Sequence, residues 1–185
     1  EELGASMVKI DFDYPFFVLK TTPVSEQKCL VHYQCTYSAR VSPASSEPKI
    51  LQKMSIPVVT TYPASAPDKP GGLFGQLSVV SVEIRSEEGF YPEDLVEIVD
   101  EHALAPIYSF HTEQDQSYLI EKIHTEKKTS VVMTDEVKKT LAAREEIDWY
   151  AVSCSNFGML HSYSTVIGTE KSAWVPFSGY ETGEI

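Results

Sequence analysis

The chain carries many residues able to do chemistry but few in spacings that commit them to one reaction. Its three cysteines, Cys29, Cys35 and Cys154, form no C-x-x-C pair and lie in apolar, strand-like runs, which reads as buried reduced thiols. Gly71-Gly72 lacks the lysine and serine or threonine of a phosphate-cradling loop, and Cys154 and His161 flank one hairpin without an evident base or oxyanion partner. His32 and His102 fall within an apolar strand and on a helix's apolar stripe, so both read as structural. The stretch from Ile56 to Arg85, IPVVTTYPASAPDKPGGLFGQLSVVSVEIR, has the length and surroundings of a metal-bearing strand-loop-strand element. Yet Tyr62, Ala64 and Phe74 stand where ligands would be wanted.

The elements that must position these residues follow from hydrophobic period. Val8 to Lys20 and Lys28 to Tyr37 alternate at period two and form a hairpin across Thr21 to Ser25. Ser42 to Pro48 has loop composition. Ile50 to Thr61 and Gln76 to Ser86 are two more strands, and the prolines and glycines between them forbid regular structure. Pro92 suits a first helical position, and Leu95, Ile98, Val99, His102 and Ala103 make a helical stripe that ends before Pro106. A second helix is expected from about Ser130 to Arg144. Between the two helices His111 to Lys128 is polar, with local order around Tyr118 to Ile123. Ile147 to Ser155 and His161 to Thr169 close the chain as strands. Segregated strand pairs and helices indicate α+β.

Composition narrows the function classes. A chain of 185 residues with 42% hydrophobic and 23% charged residues can bury one sizeable core. Its net charge of −12 and lack of a basic stripe oppose nucleic acid and anionic lipid as partners. Neither a spanning run nor a leader pattern opens the chain, so a cytoplasmic location is the default expectation, without membrane contact.

At this point the residues resemble a known family, the type IB GTP cyclohydrolases, which have a tunnelling fold. The resemblance rests on FDYPFFVLKTTPVS at Phe12 to Ser25, IPVVTTYP at Ile56 to Pro63, PEDLVEIVDEHA at Pro92 to Ala103, YLIEK at Tyr118 to Lys122, and IDWYAVSCSNFGMLHSYS at Ile147 to Ser164. It implies an antiparallel sheet with two helices on one face (residues 49–171), preceded by an extra β-hairpin (residues 1–48) and followed by a tail (172–185). The hairpin resembles the end of an N-terminal unit of the same kind. Homo-oligomers with sites between subunits are also implied. So is a purine or pterin ligand, and a divalent metal (Zn, Fe or Mn) wherever GTP is opened with loss of formate.

Residue by residue, the resemblance is incomplete at the site. The family's Cys-Pro-Cys corresponds to Tyr62-Pro63-Ala64, its downstream metal histidine to Phe74 and a nearby arginine to Leu77. Glu121 and His161 match a glutamate and a histidine of the metal site and are the candidate catalytic and metal residues. The carboxylate expected to anchor guanine falls on Gly158. Thr60, Thr61, Gln76, Ser78 and Asn156 are the candidate substrate contacts. Two ligands hold zinc weakly, since stable sites use three or four, unless Asp115, His111 or His124 joins them. The expected function is therefore a purine- or pterin-binding relative that does not perform the GTP reaction. The alternative is an active metal-dependent cyclohydrolase converting GTP or a related heterocycle to a pterin precursor with formate release.

Overall fold

The computed structural model describes residues 7–42, 45–86, 89–158 and 162–165. Two long strands, β1 (Val8–Thr21) and β2 (Lys28–Ser42), pair in full antiparallel register from Val8–Val41 to Thr21–Lys28. They are followed by β3 (Ser45–Thr61), β4 (Gly75–Arg85), helix α1 (Pro92–His102), a two-residue strand β5 (Ala105–Pro106), helices α2 (Glu113–Thr125) and α3 (Ser130–Ala143), and strands β6 (Trp149–Phe157) and β7 (Ser162–Thr165). One antiparallel sheet runs β1-β2-β3-β4-β6-β7, and β5 pairs with β3 at Val58 and Val59. The two-strand, helical, two-strand order expected of a tunnelling module is present, and the preceding hairpin continues its sheet.

The sheet has one covered face because its strands keep a common alternation. Register aligns Met54 with Val82, Ile56 with Val80, Val80 with Cys154 and Val82 with Val152. These side chains share one core with Leu95 and Val99 of α1 and Met133, Val137 and Leu141 of α3. Burial of each large aliphatic side chain contributes about 1.5–3 kcal/mol. All three cysteines are free and buried.

Three expectations change. Ser42 to Pro48 is mostly strand, because β2 and β3 extend until Ser42 faces Ser45. The ladder is irregular between Arg40 and Ser42, opposite the segment that holds Pro48, where a residue without an N–H is tolerated. The polar segment after Pro106 contains a full helix, α2, so the helices number three among the described residues. And α2 does not join α1 and α3. Its Ile123 lies against Val59 and Gly75, and Val59 alternates to the sheet face opposite the buried Val58.

The covered face also buries an ion pair. Lys20, only 9% exposed, meets the carboxylate of Asp100 on α1 and lies over the rings of Tyr33 and Tyr108. Burial raises the Asp100 carboxyl above its ordinary value, and the Lys20 ammonium opposes that rise.

Candidate functional site

The ends of β3 and β6 and the start of β4 place four polar side chains on the covered face, where alternation would otherwise continue the apolar rows. Thr60 pairs in register with Gln76, and Ser78 with Asn156. All four are buried. The Ser78 hydroxyl donates to Asn156 Oδ1 at 2.7 Å, so the Thr60 hydroxyl, 2.7 Å from Ser78 Oγ, donates to Ser78. Gln76 Nε2 donates at 3.2 Å to both Thr60 Oγ1 and Asn156 Oδ1. The result is a directed network of neutral hydrogen bonds, each worth about 1 kcal/mol net and expensive to leave half-made. The Cys154 thiol approaches Asn156 Oδ1 at 3.7 Å, and burial pushes it up to about 11, which keeps it protonated at neutral pH.

Thr61 takes no part in this network. It alternates away, its hydroxyl accepts from the Lys128 backbone N–H at 2.7 Å, and its own N–H donates to the Lys128 carbonyl at 2.7 Å. Thr61 therefore pins the end of β3 to the segment entering α3.

Immediately beyond the network the chain opens into the loop between β3 and β4. Tyr62 and Phe74 face each other across its neck: the Tyr62 N–H donates to the Phe74 carbonyl at 2.9 Å, and their rings stack with centroids 4.9 Å apart and planes 18° apart. The Ser65 hydroxyl and N–H close a turn on the Tyr62 carbonyl at 2.6 and 3.0 Å. Gly71 and Gly72 supply the positive φ values of 88° and 65° that bring the chain back. Gly75 is needed for closeness: a Cβ there would lie 2.9 Å from Val59 and 3.1 Å from Ile123.

That close approach docks the C-terminal end of α2 beside the stacked rings. His124 Nδ1 donates to the Leu73 carbonyl at 2.6 Å, so its proton sits on that nitrogen. The N-terminal end is fixed by Asp115. Its carboxylate accepts from the N–H groups of Val24 and Ser25 and the Ser25 hydroxyl in the β1–β2 turn, and from the Thr112 N–H and hydroxyl. Burial alone would raise the Asp115 carboxyl, but the bonds from Ser25 and Thr112 prevail and hold it far below the usual carboxylate range.

A match to the family model described as type I GTP cyclohydrolase folE2 runs over residues 1–166. The chain belongs to that family. The GTP cyclohydrolase FolE2 of Citrifermentans bemidjiense is 30% identical over 172 residues, covering 93% of this chain and 63% of that protein. The GTP cyclohydrolase FolE2 of Geotalea uraniireducens is 32% identical over 171 residues, covering 92% and 62%. The chain thus spans a little under two thirds of the length of these curated relatives. A crystal structure of uricase from Arthrobacter globiformis superposes with a TM-score of 0.42 at 12% identity, covering 88% of this chain and 62% of that one.

Within this family the placement of the predicted residues is uneven. Thr60, Gln76, Ser78 and Asn156 come together; Thr61 is turned away from them. Tyr62 and Phe74, predicted to stand at two ligand positions, are in direct contact. Glu121 is exposed on α2, one turn before His124 and thus at the same end of the helix as the stack. His161 lies outside the described residues. Of the substitute ligands, Asp115 is spent on five hydrogen bonds, His124 donates Nδ1–H to a carbonyl in a bond that leaves its Nε2 lone pair unused, and His111 lines a cavity beneath α2. Among the described residues no three His, Cys, Asp or Glu side chains converge as a metal site. Phe74 offers no donor atom and Tyr62 only a phenol oxygen, so this pair does not supply the thiolate and imidazole that the resemblance implies. No helix among the described residues is long and apolar enough to cross a membrane.

Sequence reasoning missed the structural use of Asp115. A signal was present, since Thr112 and Asp115 have the spacing of a capping box, and both reciprocal bonds form.

Proposed function

We propose that this chain is a purine- or pterin-binding relative of the GTP cyclohydrolases that does not open the GTP ring. The observation that carries the reading is the stack of Tyr62 on Phe74. An aromatic pair in van der Waals contact fills the neck of the loop where the resemblance expects a thiolate and an imidazole, and it is built into the hydrogen bonding of the strand ends. In this reading Thr60, Gln76, Ser78 and Asn156 form the rigid frame of the site, and Glu121 and His161 are its remaining acid–base groups. Losing a charged anchor at Gly158 removes a charge-assisted bond to the base, worth about 1.5–3 kcal/mol. The long outer edge of β1, at one end of the sheet, supports assembly of copies.

The test is direct. Purified protein is analysed for Zn, Fe and Mn, incubated with GTP, and assayed for formate and for pterin fluorescence. The expected result is substoichiometric metal, no formate, and saturable binding of a guanine nucleoside or pterin. One metal per chain together with formate release overturns the proposal in favour of an active metal-dependent cyclohydrolase.

A further inference from the structure

The polar frame lies on the covered face of the strand end, and the opposite face of the same strand end carries open space. Between α2 and the β3–β5 edge lies a cavity of about 420 Å³, within the ~300–1,000 Å³ range of ligand clefts. Val59, Ala105 and Ile107 form one wall, and Leu119 and Ile123 of α2 form the other. The helix spans the cavity as a bridge spans a gap. It is fixed at one end by Asp115 and at the other by His124 and Ile123, and Asp115 is its only buried residue. The space is open to solvent on one side, where Gln116 and Ile120 are exposed, so a ring entering it exchanges water for apolar walls.

The lining states what fills it. It contains no lysine, arginine, aspartate or glutamate, so a triphosphate has nothing to meet inside and an ionised ligand would be desolvated without a partner. Its polar side chains are His111, Gln116 and Tyr108. Among the described residues, neither the His111 nor the Gln116 side chain is engaged by another group, so each has donors and acceptors free for the edge of a ring.

We propose that this cavity takes an uncharged heteroaromatic ring, flat between the sheet wall and α2, with its polar edge on His111 and Gln116. The inference rests on the heterocycle-binding reading above and deepens it. It places the ring on the α2 face of the strand end and assigns selectivity for the base or nucleoside over the triphosphate.

The test uses pterin as a fluorescent probe, followed by anisotropy on the whole chain, with guanosine and GTP as competitors. Wild-type protein should bind pterin saturably, guanosine should displace it, and GTP should displace it no better than guanosine. Leu119→Trp, which fills the space, should weaken binding tenfold or more, whereas Leu119→Met should preserve it. His111→Ala and Gln116→Ala, at partly exposed positions that do not threaten folding, should each weaken it roughly three- to tenfold, the span of one hydrogen bond. GTP binding more than tenfold tighter than guanosine overturns the selectivity. Unchanged affinity in Leu119→Trp and both rim variants overturns the placement while leaving heterocycle binding intact. Failure of wild type to bind either ring overturns both. Formate release by a protein whose affinity still collapses in Leu119→Trp overturns only the non-catalytic reading.

Discussion

The two ends of β1 invert the usual rule of burial. Even-numbered side chains along it share one face of the sheet. At the C-terminal end that face buries a lysine, Lys20, and at the N-terminal end it leaves Ile10 63% exposed and Phe12 61% exposed. Tyr14, Phe16 and Val18, between them, are partly buried against the core. Intrinsic hydrophobicity does not rank these positions. What lies above them does: α1 brings Asp100 to Lys20, while none of the packed helical residues of the core reaches Val8, Ile10 or Phe12. The opposite face of the same distal ribbon is polar, with Asp13 accepting from Thr36 at 2.5 Å and Lys9 paired with Asp11 at 3.1 Å. The distal half of the ribbon is therefore amphipathic with its apolar face uncovered, whereas in the proximal half Phe17 and Leu19 stand exposed on the opposite face.

Removing the buried cation is the severest way to test that contrast. Lys20→Met should destabilise the protein by about 3–5 kcal/mol at neutral pH, the usual cost of stranding one member of a buried pair. The pH dependence follows from Asp100, whose carboxyl is already raised by burial and loses the one nearby charge that lowers it. A raised carboxyl takes up protons more readily in the folded state than in the unfolded one. Its unfavourable effect is absent below the ordinary carboxylate value, about pH 4, and grows as pH climbs from there to the raised folded value. The gap between variant and wild type in urea denaturation should therefore narrow towards pH 4 and widen towards pH 7. A gap that is constant with pH would mean that Lys20 matters for packing and not for its charge.

A smaller effect is expected where the covered face ends at the loop neck. Tyr62 and Phe74 stack outside the apolar rows, so their mutual contact adds to a frame already held by hydrogen bonds. A double-mutant cycle with Tyr62→Leu and Phe74→Leu should return a coupling of about 0.5–1.5 kcal/mol. Coupling near zero would make the rings independent space-fillers and remove the stack as a structural substitute for ligands.

The sequence made the sheet and its covered face legible because buried positions alternate along β2, β3, β4 and β6, and it made α1 and α3 legible because their apolar stripes face a core. Thr60, Gln76, Ser78 and Asn156 were found through the resemblance, and register alone explains why they meet. What stayed hidden depends on partners far along the chain. The α2 helix has a weak stripe, and its place is set by Asp115 reaching back to Val24 and Ser25, about ninety residues away. Lys20 reads as a surface residue until Asp100 arrives from a helix eighty residues later. The Ser42 to Pro48 segment has the composition of a loop, yet the pairing of β2 with β3 carries its described residues, Ser42 and Ser45 to Pro48, into the sheet.

The mildest substitution sharpens the contrast most. Ile10→Ser removes a large apolar side chain from the uncovered end of β1, where burial is slight, and should change stability by no more than about 0.5 kcal/mol. The same replacement at Ile56, fully buried on the same face, would create a cavity and an unsatisfied hydroxyl. If urea midpoints show Ile10→Ser costing about 2 kcal/mol or more, the range for loss of a buried aliphatic group, then the ribbon's apolar face is covered in solution. Dependence of that cost on protein concentration would identify the cover as a second molecule, because association contributes to stability by mass action and an intramolecular contact does not.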